Sequence, residues 1–155
     1  MRTAILGVGN LLMKDEGIGV HVAHACERLC LPGDVVVIDG GTSTELAFLV
    51  EGFDRLIVVD AAQAGGKPGQ IYRFTLEEID QGESPLLSGH EFGIAQTLGS
   101  GAFVENRPEQ IVIVGVEPKQ IDWGLELSPE LENRIPEIIR SVLSEIEPGG
   151  DDARQ

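Results

Sequence analysis

The chain opens with an unbroken apolar run, Thr3-Ala4-Ile5-Leu6, followed by Gly7 and Gly9. From Ile18 the apolar positions change spacing: Ile18, Val22, Ala25, Cys26 and Leu29 form one stripe of helical period. This change predicts a buried strand, a glycine turn, and a helix from Glu16 to Cys30 that stops before Pro32-Gly33. The pattern recurs. Residues 34–39 read as a second buried strand ended by Gly40-Gly41, and Thr42-Ser43-Thr44-Glu45 as a capping box. That box predicts a short helix carrying Leu46, Phe48 and Leu49 inward. Residues 55–60 read as the third strand, while 70–74 alternate as an edge strand would. Residues 77–82 are acidic and polar, the composition of a solvated connection. Ser88-Gly89-His90-Glu91 is a second capping box, opening a helix with Ile94 and Leu98. Residues 110–116 read as the last buried strand.

Ser128 is placed to cap a final helix, with Pro129 at the favoured first position. Leu131, Ile135, Ile138, Ile139, Val142 and Ile146 keep one stripe across Pro136, which predicts a kink and not an end. Apolar residues vanish after Pro148, so 148–155 read as a disordered acidic tail behind one domain over 1–147. Buried strands alternating with amphipathic helices predict an α/β fold. We expect a twisted, largely parallel five-stranded sheet with helices on both faces and one antiparallel edge strand. A reversal between strands one and three would open a crevice at the strand carboxyl ends.

Composition narrows the partners more than the fold. A formal charge of −15 over 155 residues argues against nucleic acid and anionic membrane. The N-terminal apolar run is broken by Asn10 and Lys14-Asp15-Glu16, unlike a signal peptide, and no stretch is long enough to span a bilayer. Cys26 and Cys30 read as small apolar fillers, so the expected setting is the reducing cytoplasm. A monomer is the expected state.

Four polar features fall at the predicted crevice: Asp15-Glu16, Asp39, Asp60 and His90. One of Asp15 and Glu16 is needed to cap a helix, and the other is left over. Asp39 before two glycines is as readily a turn residue as a functional one. Asp60 ends an apolar run with no turn residue directly after it, which is harder to explain structurally. His90 at a helix N-terminus is biased toward the neutral, metal-binding form. His21, His24 and Arg28 share the helix face opposite the apolar stripe and are expected to be solvated. Carboxylates and one imidazole in one crevice suit a borderline divalent ion with open coordination positions.

Two other classes compete. Gly7-x-Gly9 with Asp39 resembles half of a dinucleotide fingerprint, the mark of a Rossmann-like nucleotide-binding protein. Its third glycine would fall on Leu12, and Asp15-Glu16 would repel a pyrophosphate. A non-catalytic acidic interaction module would leave the clustered carboxylates unexplained. No Gly-x-Ser-x-Gly elbow occurs, and both cysteines lie in the first predicted helix, so nucleophilic hydrolysis is disfavoured.

The blocks Gly7-x-Gly9-Asn10, Asp15-Glu16-Gly17-Ile18-Gly19, Asp39-Gly40-Gly41-Thr42, Val59-Asp60-Ala61, His90-Glu91-Phe92-Gly93 and Gly115-Val116-Glu117-Pro118 together resemble the hydrogenase maturation endopeptidases. The resemblance runs from Met1 to about Ile146. It implies a protease that removes a C-terminal extension from the large-subunit precursor of nickel–iron hydrogenases. It also implies metal ligands at Glu16, Asp60 and His90, with nickel supplied by the precursor. In that picture Glu16 and Asp60 serve catalysis by engaging the substrate's metal, which assists attack on the carbonyl. Asp39 would orient the site or accept a proton.

Overall fold

The computed structural model describes residues 1–42, 46–75, 78 and 108–146, apart from the side chains of residues 46 and 47. Strand β1 (Thr3–Val8) leads through a 3-10 turn (Lys14–Gly17) into helix α1 (Ile18–Glu27). Strand β2 (Val35–Gly41), helix α2 (Leu46–Leu49), strand β3 (Arg55–Ala61), strand β4 (Ile71–Thr75) and strand β5 (Gln110–Val116) follow. Helices α3 (Pro129–Glu132) and α4 (Ile135–Ser144) complete the described chain.

The strands form one five-stranded sheet in the order β2-β1-β3-β5-β4. β1 pairs in parallel with β2 and β3, and β3 with β5; only β4 runs antiparallel, along β5. The expected class is therefore observed, including the antiparallel edge and the reversal at β1, whose neighbours lie on either side of it. β1 is buried at every position, because it has a strand on both edges and a layer on both faces.

The strand period divides the core. Ala4, Leu6, Val8, Leu56, Val58 and Ile113 face one way, against the partly buried Leu49 that ends α2 and Val50 and the partly buried Phe53 beyond it. Ile5, Ile57, Val59, Val114 and Val116 face the other way, against Ile18, Val22 and Cys26 of α1 and Leu131, Ile138 and Val142 of α3 and α4. Close packing on this second face explains three glycines. A Cβ on Gly7 would meet the Ala23 Cβ at 2.7 Å, and one on Gly19 would collide with the Val59 carbonyl. A Cβ on Gly9 would collide with the Glu16 carbonyl, and Gly9 also has φ +135°. The turn from β1 into α1 is thus pressed onto the sheet.

Several expectations need correction. β2 is not a doubly buried strand: it lies at the sheet edge, and Val36 and Asp39 are exposed. An apolar run reports what a strand's faces meet, not whether it has one neighbour or two. Phe48 is exposed, and Leu49 and Val50 supply the packing instead. α1 begins at Ile18 and ends at Glu27, leaving Leu29 exposed beyond it. The stripe from Leu131 to Val142 is buried as read, but Pro136 lies in the first turn of α4, after a break, and does not kink one continuous helix. The Thr42–Glu45 box lies partly outside the described residues. The connection after β4 (apart from Glu78), the helix expected to open at Ser88 and the tail from Pro148 lie wholly outside them.

Candidate active site

The site is built at the carboxyl ends of β1, β2 and β3. Beyond β1, Asn10 turns the chain by accepting the Leu12 N–H on its side-chain oxygen (2.9 Å) and the Met13 N–H on its carbonyl (3.0 Å). The next turn brings in the acidic couplet, whose members have different fates. Asp15 is fully buried. Its carboxylate accepts backbone N–H bonds from Lys119 (2.9 Å), Gln120 (2.8 Å) and Ser128 (2.8 Å), and the Ser128 hydroxyl bond (2.8 Å). Those donors replace the water a buried carboxylate loses. Asp15 is thus committed to holding the 119–128 loop. It does not cap α1, whose N-cap is Gly17 with no side-chain bond. The Ser128 hydroxyl likewise serves Asp15 and not the end of α3. Glu16, on the same turn, is only partly buried.

Asp60 is fully buried near the end of β3, in register with Gly115 of β5. Its Oδ1 accepts the Ala61 N–H at 2.8 Å. The turn bearing Glu16 packs against β3, so Glu16 and Asp60 come from adjoining segments of one sheet edge. Two oxygen donors of this kind suit a divalent cation with exchangeable positions. His90 lies outside the described residues, and among the described residues no three His, Cys, Asp or Glu side chains form a metal-holding group.

Asp39 stands opposite Gly7 at the end of β2, and its Oδ2 lies 2.8 Å from His24 Nε2 on α1. His24 is therefore partnered and not simply solvated. His21 departs further from that expectation: its Nε2 is buried without a hydrogen-bond partner. Burial holds its pKa below the usual histidine value, against the opposing pull of Glu132. Arg28 is exposed, as the helical spacing predicts.

Glu117 is a further structural carboxylate that the sequence reading placed only within a motif. It is buried just beyond β5, and its Oε1 accepts bonds from Ala64 N (3.0 Å), Gly66 N (2.8 Å) and the Tyr72 hydroxyl (2.6 Å). Burial pushes its pKa up, but the Tyr72 hydroxyl and the loop amides outweigh that and hold it below the usual carboxylate range. The loop it grips follows Asp60-Ala61-Ala62 directly. A glutamate at the end of an apolar strand, like Asp60, was the available signal.

The structure gives the two glycines of the half fingerprint a packing role. In a dinucleotide site the glycines let a pyrophosphate approach the helix start. Here the space beside Gly7 is filled by Gly19 and Ala23, and that beside Gly9 by Glu16.

The chain is similar to known proteins over most of its length. The family model for hydrogenase maturation proteases matches residues 20–145. The chain is 34% identical to the Hydrogenase 2 maturation protease of Escherichia coli K12, over 99% of this chain and 95% of that protein. It is 32% identical to the hydrogenase expression/formation protein HupD of Rhizobium leguminosarum bv. viciae, over 92% of this chain and 72% of that one. The fold matches the solved hydrogenase maturating endopeptidase HybD of E. coli with a TM-score of 0.80 at 32% identity, covering 94% of this chain and 92% of that one. The [NiFe] hydrogenase maturation protease HybD of Thermococcus kodakarensis matches with a TM-score of 0.74 at 25% identity, covering 95% and 100%. The chain is a hydrolase that belongs to the hydrogenase maturation protease family.

Proposed function

We propose that this protein removes the C-terminal extension from the large-subunit precursor of a nickel–iron hydrogenase once nickel has been installed. The observation that carries the reading is a fully buried Asp60 at the carboxyl end of β3, beside the turn bearing Glu16, in a chain of this family. In this reading the nickel arrives as part of the substrate. Glu16, Asp60 and His90 engage it from the protease side, which brings the scissile peptide to the sheet edge. A water then adds to the scissile carbonyl carbon, the C–N bond breaks, and the leaving amine takes the proton. The substrate's metal polarises the carbonyl or the water. Asp39 orients the site or accepts the proton, with His24 holding its carboxylate. The protein acts as a cytoplasmic monomer.

Processing of matched nickel-loaded and nickel-free precursors, followed by intact-mass spectrometry, tests this. Cleavage is expected only of the loaded form, and added free nickel should not rescue the other. Asp60→Asn, which keeps shape and removes charge, should lower processing by about tenfold or more. Tightly held stoichiometric zinc in a protein that cuts nickel-free precursor would overturn the mechanism.

A further inference from the structure

The 119–128 loop combines firm anchoring with apolar exposure. Asp15 grips it at Lys119, Gln120 and Ser128. Its middle is tied to the chain beyond β1: the Gly124 N–H bonds the Leu12 carbonyl (2.8 Å), and the Lys14 N–H bonds the Gly124 carbonyl (2.9 Å). These bonds form a parallel bridge between Met13 and Gly124. Gly124 is needed there, because its φ is +154° and a Cβ would meet the Lys14 side chain at 2.8 Å. The bridge sets Leu12 beside Trp123, with Leu125 next along. All three are left exposed, at 53%, 74% and 64%.

Large apolar side chains held out on an anchored loop mark an interaction surface, and tryptophan dominates such surfaces. The surface adjoins the turn that carries Glu16. Asp122 and Glu126 flank the exposed pair and are themselves exposed, outnumbering Lys14, whose side chain lies against Gly124. The whole chain carries a net charge of −15. A complementary partner is therefore an apolar segment flanked by lysine or arginine.

We propose that Leu12, Trp123 and Leu125 dock an apolar, basic-flanked segment of the hydrogenase precursor next to the metal-engaging edge. The proposal rests on the function proposed above. It adds a specificity surface separate from the carboxylates: docking contributes affinity, while Glu16 and Asp60 act on the metal.

Trp123 is the chain's only tryptophan, so fluorotryptophan labelling produces one fluorine-NMR resonance from the intact protein. Unlabelled nickel-loaded precursor is titrated in, and cleavage is followed in the same samples. The resonance should shift and lose its solvent isotope effect at saturation. Trp123→Ala should raise KM for precursor about tenfold, with kcat within about twofold. Leu29→Ser, an exposed apolar position beyond the end of α1, should change neither. An unmoved resonance during active cleavage overturns the docking surface and leaves the proposed function standing. A shifted resonance without cleavage supports docking and overturns the reaction. Neither shift nor cleavage overturns both. A shift on raising the protease concentration alone, with faster sedimentation, assigns the patch to a second copy of this chain and overturns the proposal.

Discussion

The Asp15 carboxylate accepts the Ser128 hydroxyl bond at 2.8 Å across 113 positions of sequence. With three backbone donors on the same carboxylate, this contact fastens the 119–128 loop to the turn after β1. The turn that carries Glu16 is therefore braced from beneath by its neighbour.

Asp15→Asn should be costly. The amide turns one acceptor into a donor facing N–H groups, so buried partners lose their bonds. Urea denaturation should register a loss of about 3 kcal/mol. Glu16→Gln should cost under about 1 kcal/mol, since Glu16 is only partly buried. Equal losses would overturn the division of roles between the two residues.

Gly19→Ala tests the packing of α1 on β3. Helix propensity favours alanine by about 1 kcal/mol, but the added Cβ collides with the Val59 carbonyl. Overpacking against backbone should win, for a net loss of about 2 kcal/mol in thermal or urea denaturation. A stabilised variant would mean that α1 can lift from the sheet without penalty.

His21 makes stability sensitive to mild acid. Its folded pKa lies below the ordinary value of 6.5, chiefly through burial. The unfolded chain therefore binds the proton more readily. The stabilising contribution is complete above pH 6.5 and is lost as pH falls toward the folded pKa. Urea midpoints between pH 7.5 and 5 should fall more steeply for the native protein than for His21→Gln. Parallel curves would show that His21 is solvated.

Glu117 and Tyr72 give a second, lower window. The folded Glu117 pKa lies below its ordinary 4.5, so its contribution is present above that value and lost as pH falls through the folded one. Tyr72→Phe removes the 2.6 Å hydroxyl bond. It should cost about 1 kcal/mol at neutral pH and flatten the acid limb of the stability curve, as read from urea midpoints between pH 6 and 3. An unchanged acid limb would place the acid sensitivity in other carboxylates.

What the sequence determined by itself is the order and kind of the elements. Continuous apolar runs at Ala4–Leu6, Leu56–Val59 and Ile111–Val114 are buried as strands covered on both faces, and the stripes at Ile18–Cys26 and Leu131–Val142 as helices packed on one side. The places of Asp39 and Asp60 were legible too, because each ends an apolar run. Tertiary structure alone decided the rest. Periodicity records which face of an element turns inward, not who its lateral neighbours are, so β2 read as a buried strand although it lies at the edge with Val36 and Asp39 exposed. Nor could spacing separate Asp15 from Glu16, since the donors that bury Asp15 sit more than a hundred residues away. His24 and Asp39 meet across 15 positions, and Glu117 reaches back 51 to the Gly66 amide, for the same reason. A carboxylate's role follows from the donors that replace its water, and only the folded chain brings those donors to it.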